Sequence, residues 1–220
     1  MISKEELIEL KLSLNENTTI VAVSKTYPLT DIKQVMEMGI TDFGENKLQE
    51  LKSKFDPSLN IKWHFIGRIQ TNKIKDIVKY ASMIQSVDRL EVAELINKEA
   101  IKLNKIMPIL IQINVLNEEN KGGLSVDLLE KMLKECSKLS NIIVKGLMVI
   151  GPTNQIIEHT TLAFKTAKEL FDKYKMVYPS IEYLSMGMSD DYLLAQEYGS
   201  NMVRIGSKIF GKRLYKEENV

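Results

Sequence analysis

The chain has 220 residues, 44% apolar and 27% charged, with 30 basic against 29 acidic side chains. That profile fits a globular protein with a sizeable core, and the near balance of charge removes any electrostatic case for nucleic acid as a partner. A lone cysteine, Cys136, excludes an internal disulfide framework, and MISKEEL lacks the features of a signal peptide. No apolar run nears the ~18 residues of a membrane span, so a cytoplasmic location is expected.

Ser3 and Glu6 stand at capping-box spacing, and Leu7, Leu10 and Leu14 continue at helical period, so an amphipathic helix opens the chain. After Asn15-Glu16-Asn17 a strand is predicted from Ile20 to Lys25, then a helix from Thr30 to Met38 stopped by Gly39. A brief strand runs into FGEN (43–46), and a helix from Lys47 to about Lys54 is broken by Asp56-Pro57. IKWHFIG (61–67) is strand-like, and Asn72 is placed to cap a helix reaching Tyr80. MIQSV (83–87) is a strand, Asp88 starts a long helix to about Asn104, and PILIQINV (108–115) is an almost wholly apolar strand. Gly122-Gly123 precede a helix from Ser125 to Leu139. IIVKGLMVIG (142–151) is the sixth strand, Gln155 to Met176 a long helix, IEYLSMG (181–187) the seventh strand and Asp190 to Tyr198 a helix. MVRIG (202–206) is the eighth strand, before a short terminal helix and a charged tail.

Apolar strands alternating with amphipathic helices imply a parallel sheet covered by helices. Eight such units predict an α/β fold, a single (β/α)8 TIM-type barrel over residues 1–220 with an extra N-terminal helix. An open doubly wound sheet is the competitor. It usually has fewer strands, and no glycine fingerprint follows the first strand.

In such barrels the active site forms at the C-terminal ends of the strands. Lys25 ends the first and shares a face with Val21 and Val23. A lysine desolvated above aliphatic side chains can attack a carbonyl as free amine, whereas a snorkelling surface lysine is the plain alternative. After strands seven and eight, SMGMSDDY (185–192) and RIGSKIFG (204–211) each run through glycine into a serine ahead of a helix. Such loops commonly hold phosphate, although Ser189 and Ser207, each taken singly, read first as ordinary helix caps. Two such loops opposite a lysine favour a phosphorylated aldehyde. Arg204, inside an apolar strand, needs an acceptor. Two are open: a carboxylate, or the pyridine nitrogen of pyridoxal 5′-phosphate (PLP), which an arginine would leave unprotonated.

VAVSKTYP (21–28), DFGENKLQE (42–50), WHFIGRIQTNK (63–73), SVDR (86–89), LMVIG (147–151), LSMGMSDD (184–191) and MVRIGSKIFGKR (202–213) together resemble the pyridoxal phosphate homeostasis proteins, in that family's order and spacing. The resemblance implies a barrel similar to the alanine racemase N-terminal domain, with PLP held covalently as a Schiff base on Lys25 and Asn46 near the cofactor. It further implies that Ser189, Gly206 and Ser207 hold the phosphate, that Arg204 faces the pyridine nitrogen, and that Met186 and His64 line the ring's surroundings. The implied role is PLP buffering and delivery, affecting amino-acid balance without established turnover, with PLP, other B6 vitamers and PLP-dependent apoenzymes as partners. Lys47 stands where many relatives carry a bulkier residue, and Lys121 matches a lysine linked to a second vitamer site. By residue type alone, His64 also reads as a hydrogen-bonded core residue. His64, His159 and Cys136 form no metal constellation, and no catalytic residue is assigned.

The rival reading is a PLP-dependent amino-acid racemase. Racemisation needs acid/base groups on both faces of Cα, and Lys25 can serve one. In the resembling racemases the other is a tyrosine from an added C-terminal domain, which is not expected here; Tyr27 and Tyr192 are the remaining candidates. Without that dimer-forming domain a monomer is expected. A Schiff-base aldolase, the third possibility, would leave the paired phosphate loops and Arg204 unexplained.

Overall fold

Eight parallel strands close into a barrel in the computed structural model, which describes residues 1–152 and 156–211. In chain order the elements are α1 (Lys4–Leu12), β1 (Thr19–Val23), α2 (Leu29–Glu37), β2 (Asp42–Glu45), α3 (Leu48–Lys54), β3 (Lys62–Phe65), α4 (Ile74–Tyr80), β4 (Met83–Val87) and α5 (Leu90–Lys102). They continue as β5 (Met107–Ile113), α6 (Leu129–Cys136), β6 (Ile142–Val149), α7 (Ile157–Val177), β7 (Tyr183–Ser185), α8 (Tyr192–Glu197), β8 (Met202–Ile205) and α9 (Ser207–Phe210). Each strand pairs with the next, and β1 pairs with β8 in the register Val21 to Arg204, which seals the ring.

The capping box forms as expected: Ser3 Oγ accepts from the Glu6 N–H at 3.1 Å, and Glu6 accepts from the Ser3 N–H at 2.7 Å. Asn72 does not cap α4. It lies in a short 3₁₀ turn over Thr71–Lys73, and a similar turn at Val126–Leu128 delays α6 past Ser125. The expected start of the long helix at Gln155, and the sequence from residue 212 onward with its charged tail and the end of the last motif, lie outside the described residues. Among the described residues no helix is long and apolar enough to cross a membrane.

Strand alternation divides the core into two shells. Outward-facing residues such as Ala22, Phe43, Trp63, Ile84 and Ile109 pack beneath the helices. Val21, Met83, Leu110, Met148 and Met202 fill the barrel interior. Cys136 belongs to the outer shell, 2% exposed. Burial, with Glu94 and Glu135 adding to it, pushes its thiol up to about 12, so it is an inert packing residue.

Candidate active site

The strands end in a cavity of about 500 Å³ whose wall contains six of the eight predicted site residues: Lys25, Asn46, Ser189, Arg204, Gly206 and Ser207. Val23, Ile66, Met148 and Ile150 supply its apolar surface, and Asp190 stands at the same wall. His64 and Met186 do not line it. Met186 is fully buried among the outer-shell side chains, because alternation turns it away from the face that carries Ser185. His64 does face inward, but one layer too deep. Ile66, two residues later on the same face, takes the position at the wall. His64 instead bonds Asp42 Oδ1 at 2.9 Å and Gln85 Nε2 at 2.8 Å.

Lys25 sits just past β1, which ends at Val23, two residues earlier than predicted, and is half-buried. Both of its neighbours are anchored. The Ser24 N–H donates to Gly44 O at 3.1 Å, and Ser24 Oγ donates to Glu45 Oε1 at 2.7 Å. Thr26 adopts φ 73°, a left-handed conformation that is strained for a β-branched residue, and its N–H donates to Glu50 Oε2. One ammonium joins these anchors: Lys54 Nζ lies 2.8 Å from Glu45 Oε1, 3.0 Å from Glu50 Oε2 and 3.0 Å from Ser24 O.

Burial raises the Glu45 carboxyl above its ordinary range, against the opposing pull of Lys54 and Ser24. Burial also pushes Glu50 up, but the Thr26 N–H and Lys54 outweigh it and hold this carboxyl low. Sequence reasoning missed this clamp. The four-residue spacing of Glu50 and Lys54 is the signal that was there to be read.

The opposite wall comes from β7 and β8. Neither serine caps a helix. Asp191 precedes α8, with its Oδ1 accepting from the Met188 N–H at 2.6 Å, and Ser207 is itself the first residue of α9. Ser189 Oγ instead accepts from the Gly206 N–H at 3.2 Å and ties the two loops together. Arg204 is 4% exposed and finds no carboxylate acceptor among the described residues. Its Nη1 donates to Ser185 O (2.9 Å) and Ser185 Oγ (2.7 Å), and its Nη2 donates to Val149 O at 2.8 Å. Burial pulls its pKa down to about 10, with Asp191 acting the other way.

Between these walls stands Asn46, whose Oδ1 is buried with no hydrogen-bond partner among the described residues. Gly67 passes so close that a Cβ there would fall 2.0 Å from Asn46 O. The SVDR motif explains itself here. Ser86 Oγ donates to Gly67 O at 2.6 Å and Arg89 to Ile69 O at 3.3 Å, which fixes the loop beside Asn46. Lys121 lies off the cavity, paired with Glu118 at 2.7 Å and donating to Gly151 O; Lys47 is exposed.

Residues 5–213 match the family described as alanine racemase, N-terminal domain. The pyridoxal phosphate homeostasis protein of Aquifex aeolicus is 38% identical over 199 residues, covering 89% of this chain and 87% of its own. That of Haemophilus influenzae is 39% identical, covering 91% and 88% respectively. The structure of PipY from Synechococcus elongatus with PLP bound superposes with a TM-score of 0.87 at 30% identity, covering 94% of this chain and 99% of that one. The chain therefore belongs to the pyridoxal phosphate homeostasis protein family, built on the alanine racemase N-terminal barrel.

Proposed function

We propose that this protein binds PLP in the cavity at the barrel mouth, holds it covalently through Lys25 Nζ, and acts in PLP homeostasis without efficient turnover. The observation that carries this reading is the meeting, in one cavity of about 500 Å³, of an amine, two serine loops and a buried guanidinium from opposite walls. Asn46 Oδ1 supports the fit, since a buried polar atom without a partner is costly unless a ligand completes it. When bound, PLP supplies an aldehyde that can be carried as an imine and released by hydrolysis.

Each residue then has a stated task. The Lys25 amine is the group that would hold the aldehyde carbon, with loss of one water. Ser189 and Ser207 offer hydroxyls, and the Ser207 and Gly206 backbone stands beside them, for the phosphate. Arg204, which can only donate, would serve the ring nitrogen and leave it unprotonated, making the ring a weak electron sink. Val23, Ile66 and Met148 would supply the apolar surface against the ring.

The racemase reading gains no support from the two tyrosines. Tyr27 Oη donates to Gly211 O at 2.8 Å while its ring stacks on Phe210 at 4.7 Å, and neither Tyr27 nor Tyr192 borders the cavity. With L-alanine and PLP supplied together, a chiral assay is expected to stay flat; appearance of D-alanine at enzymatic rates would restore that reading. The phosphate assignment has its own check. Ser189→Ala combined with Ser207→Ala is expected to weaken PLP about ten- to a hundred-fold while leaving pyridoxal nearly unchanged, two charge-assisted hydrogen bonds being lost. Equal weakening of both ligands in an absorbance titration would place the phosphate elsewhere.

A further inference from the structure

A string of hydrogen bonds descends from the cavity through the inside of the barrel. Arg204 Nη1 donates to Ser185 Oγ at 2.7 Å, and Ser185 Oγ donates to Gln85 Oε1 at 2.8 Å. Gln85 Nε2 lies 2.8 Å from His64 Nδ1, and His64 Nε2 lies 2.9 Å from Asp42 Oδ1. The string takes one residue from each of β8, β7, β4, β3 and β2. Arg204 borders the cavity at the mouth, whereas Asp42, the first residue of β2, borders a second cavity with Thr41 and Ile40.

Donor chemistry orients every link. Arginine only donates, so the Ser185 hydrogen is available for an acceptor, and Gln85 Oε1 is the one in place. That sets the amide: Nε2 must face His64, whose Nδ1 must then accept. The imidazole proton is left on Nε2, pointing at Asp42. Asp42 agrees with this. Burial raises its pKa, but the hydrogen bonds from His64 and Thr41, with Lys62 nearby, together outweigh burial and hold the carboxyl low.

Packing alone does not call for such a string. The apolar part of the interior is Val21, Met83, Leu110, Met148 and Met202, and more such side chains would fill the same space without any desolvation penalty. Ser185, Gln85 and His64 are nevertheless 0%, 0% and 2% exposed, and they terminate on the guanidinium at the cavity.

We propose that Gln85 and His64 are positioning residues for the cofactor: through Ser185 they set the direction of the Arg204 guanidinium, and a pyridine ring bound against Arg204 is felt at the His64 imidazole. This inference rests on the PLP reading given above. A purely structural network would hold the barrel together but would carry no such response.

Imidazole ¹⁵N NMR separates the two, because the chain has two histidines and exposed His159 serves as the internal control. Wild type, Ser185→Ala and Gln85→Met are compared, with circular dichroism verifying that each is folded; the serine variant removes a single oxygen and so keeps the test available if Gln85→Met does not fold. Before any ligand is added, His64 in the wild type is expected to show a protonated Nε2 and an accepting Nδ1. Adding PLP is expected to shift the His64 signals in the wild type and not in Ser185→Ala. The near-visible band of bound PLP is expected to move in both variants. A His64 proton on Nδ1, a ligand response that survives Ser185→Ala, or variant bands identical to wild type would each overturn the proposal. If the wild type gives no PLP absorbance change at all, the functional reading falls and takes the proposal with it. A normal PLP band with unmoved His64 signals removes the relay alone.

Discussion

Lys25→Ala is expected to abolish covalent capture of PLP. After borohydride reduction, mass spectrometry of the wild type should find one pyridoxyl group on Lys25, and the variant should carry none. The physical ground is placement. Lys25 stands among Val23, Ile66 and Met148 at the cavity wall, opposite Ser189 and Ser207. Reversible binding should persist in the variant, because the groups on the other wall are untouched. Label on another lysine of the wild type, such as Lys121 or Lys208, would defeat the assignment of Lys25 while leaving the cavity intact.

Lys54→Ala is expected to have the largest effect on stability, about 3–5 kcal/mol by urea denaturation, the usual result of removing one partner from a buried ion pair. Glu45 is fully buried, and its Oε2 already lacks a hydrogen-bond partner among the described residues, so loss of the ammonium leaves a carboxylate without a counter-charge. The pH dependence follows from the raised Glu45 carboxyl. A carboxyl whose folded pKa lies above its unfolded value binds its proton more tightly in the native state. Its contribution is therefore favourable below the ordinary pKa and is lost as pH rises through the raised one. Without Lys54 that penalty grows, so the deficit of Lys54→Ala should be smaller at pH ~5 than at pH ~8. Replacing the pair with apolar residues, Lys54→Met with Glu45→Leu, should recover much of the loss. Covalent capture should still be slower in that double variant, because Ser24 would lose its bonds to Glu45 and Lys54, and Glu50, which holds Thr26, would lose its ammonium partner. A double variant that is stable and captures PLP at the wild-type rate would show that the clamp serves folding alone.

The barrel was legible because its code is local and repeated. Hydrophobic period switches from strand to helix eight times, and each switch needs only near neighbours in sequence. The capping box at Ser3 and Glu6, the strand at Met83–Val87 and the glycine after α2 are of this kind. Boundaries at the C-terminal ends were less legible. β1, β3 and β7 all stop earlier than their apolar runs suggest, since the chain leaves the barrel there to build loops whose bonds lead to distant residues.

Within the site, Lys25, Asn46 and the loops of β7 and β8 could be named from strand-end position and motif, and the cavity brings them together. His64 and Met186 could not be placed the same way. Which layer an inward residue occupies depends on the stagger between strands, and which face a strand-end residue takes depends on where regular pairing stops. The sequence alone determined the alternation, the barrel and the chemical kinds of group at its mouth, because those follow from propensity and periodicity. Only the tertiary structure decided that Ser189 bridges to Gly206 instead of capping a helix, that Lys54 anchors both neighbours of Lys25, and that Arg204 is held from below through Ser185 and Gln85. Each of those bonds joins residues from different strands or loops, and such pairings exist only once the ring has closed.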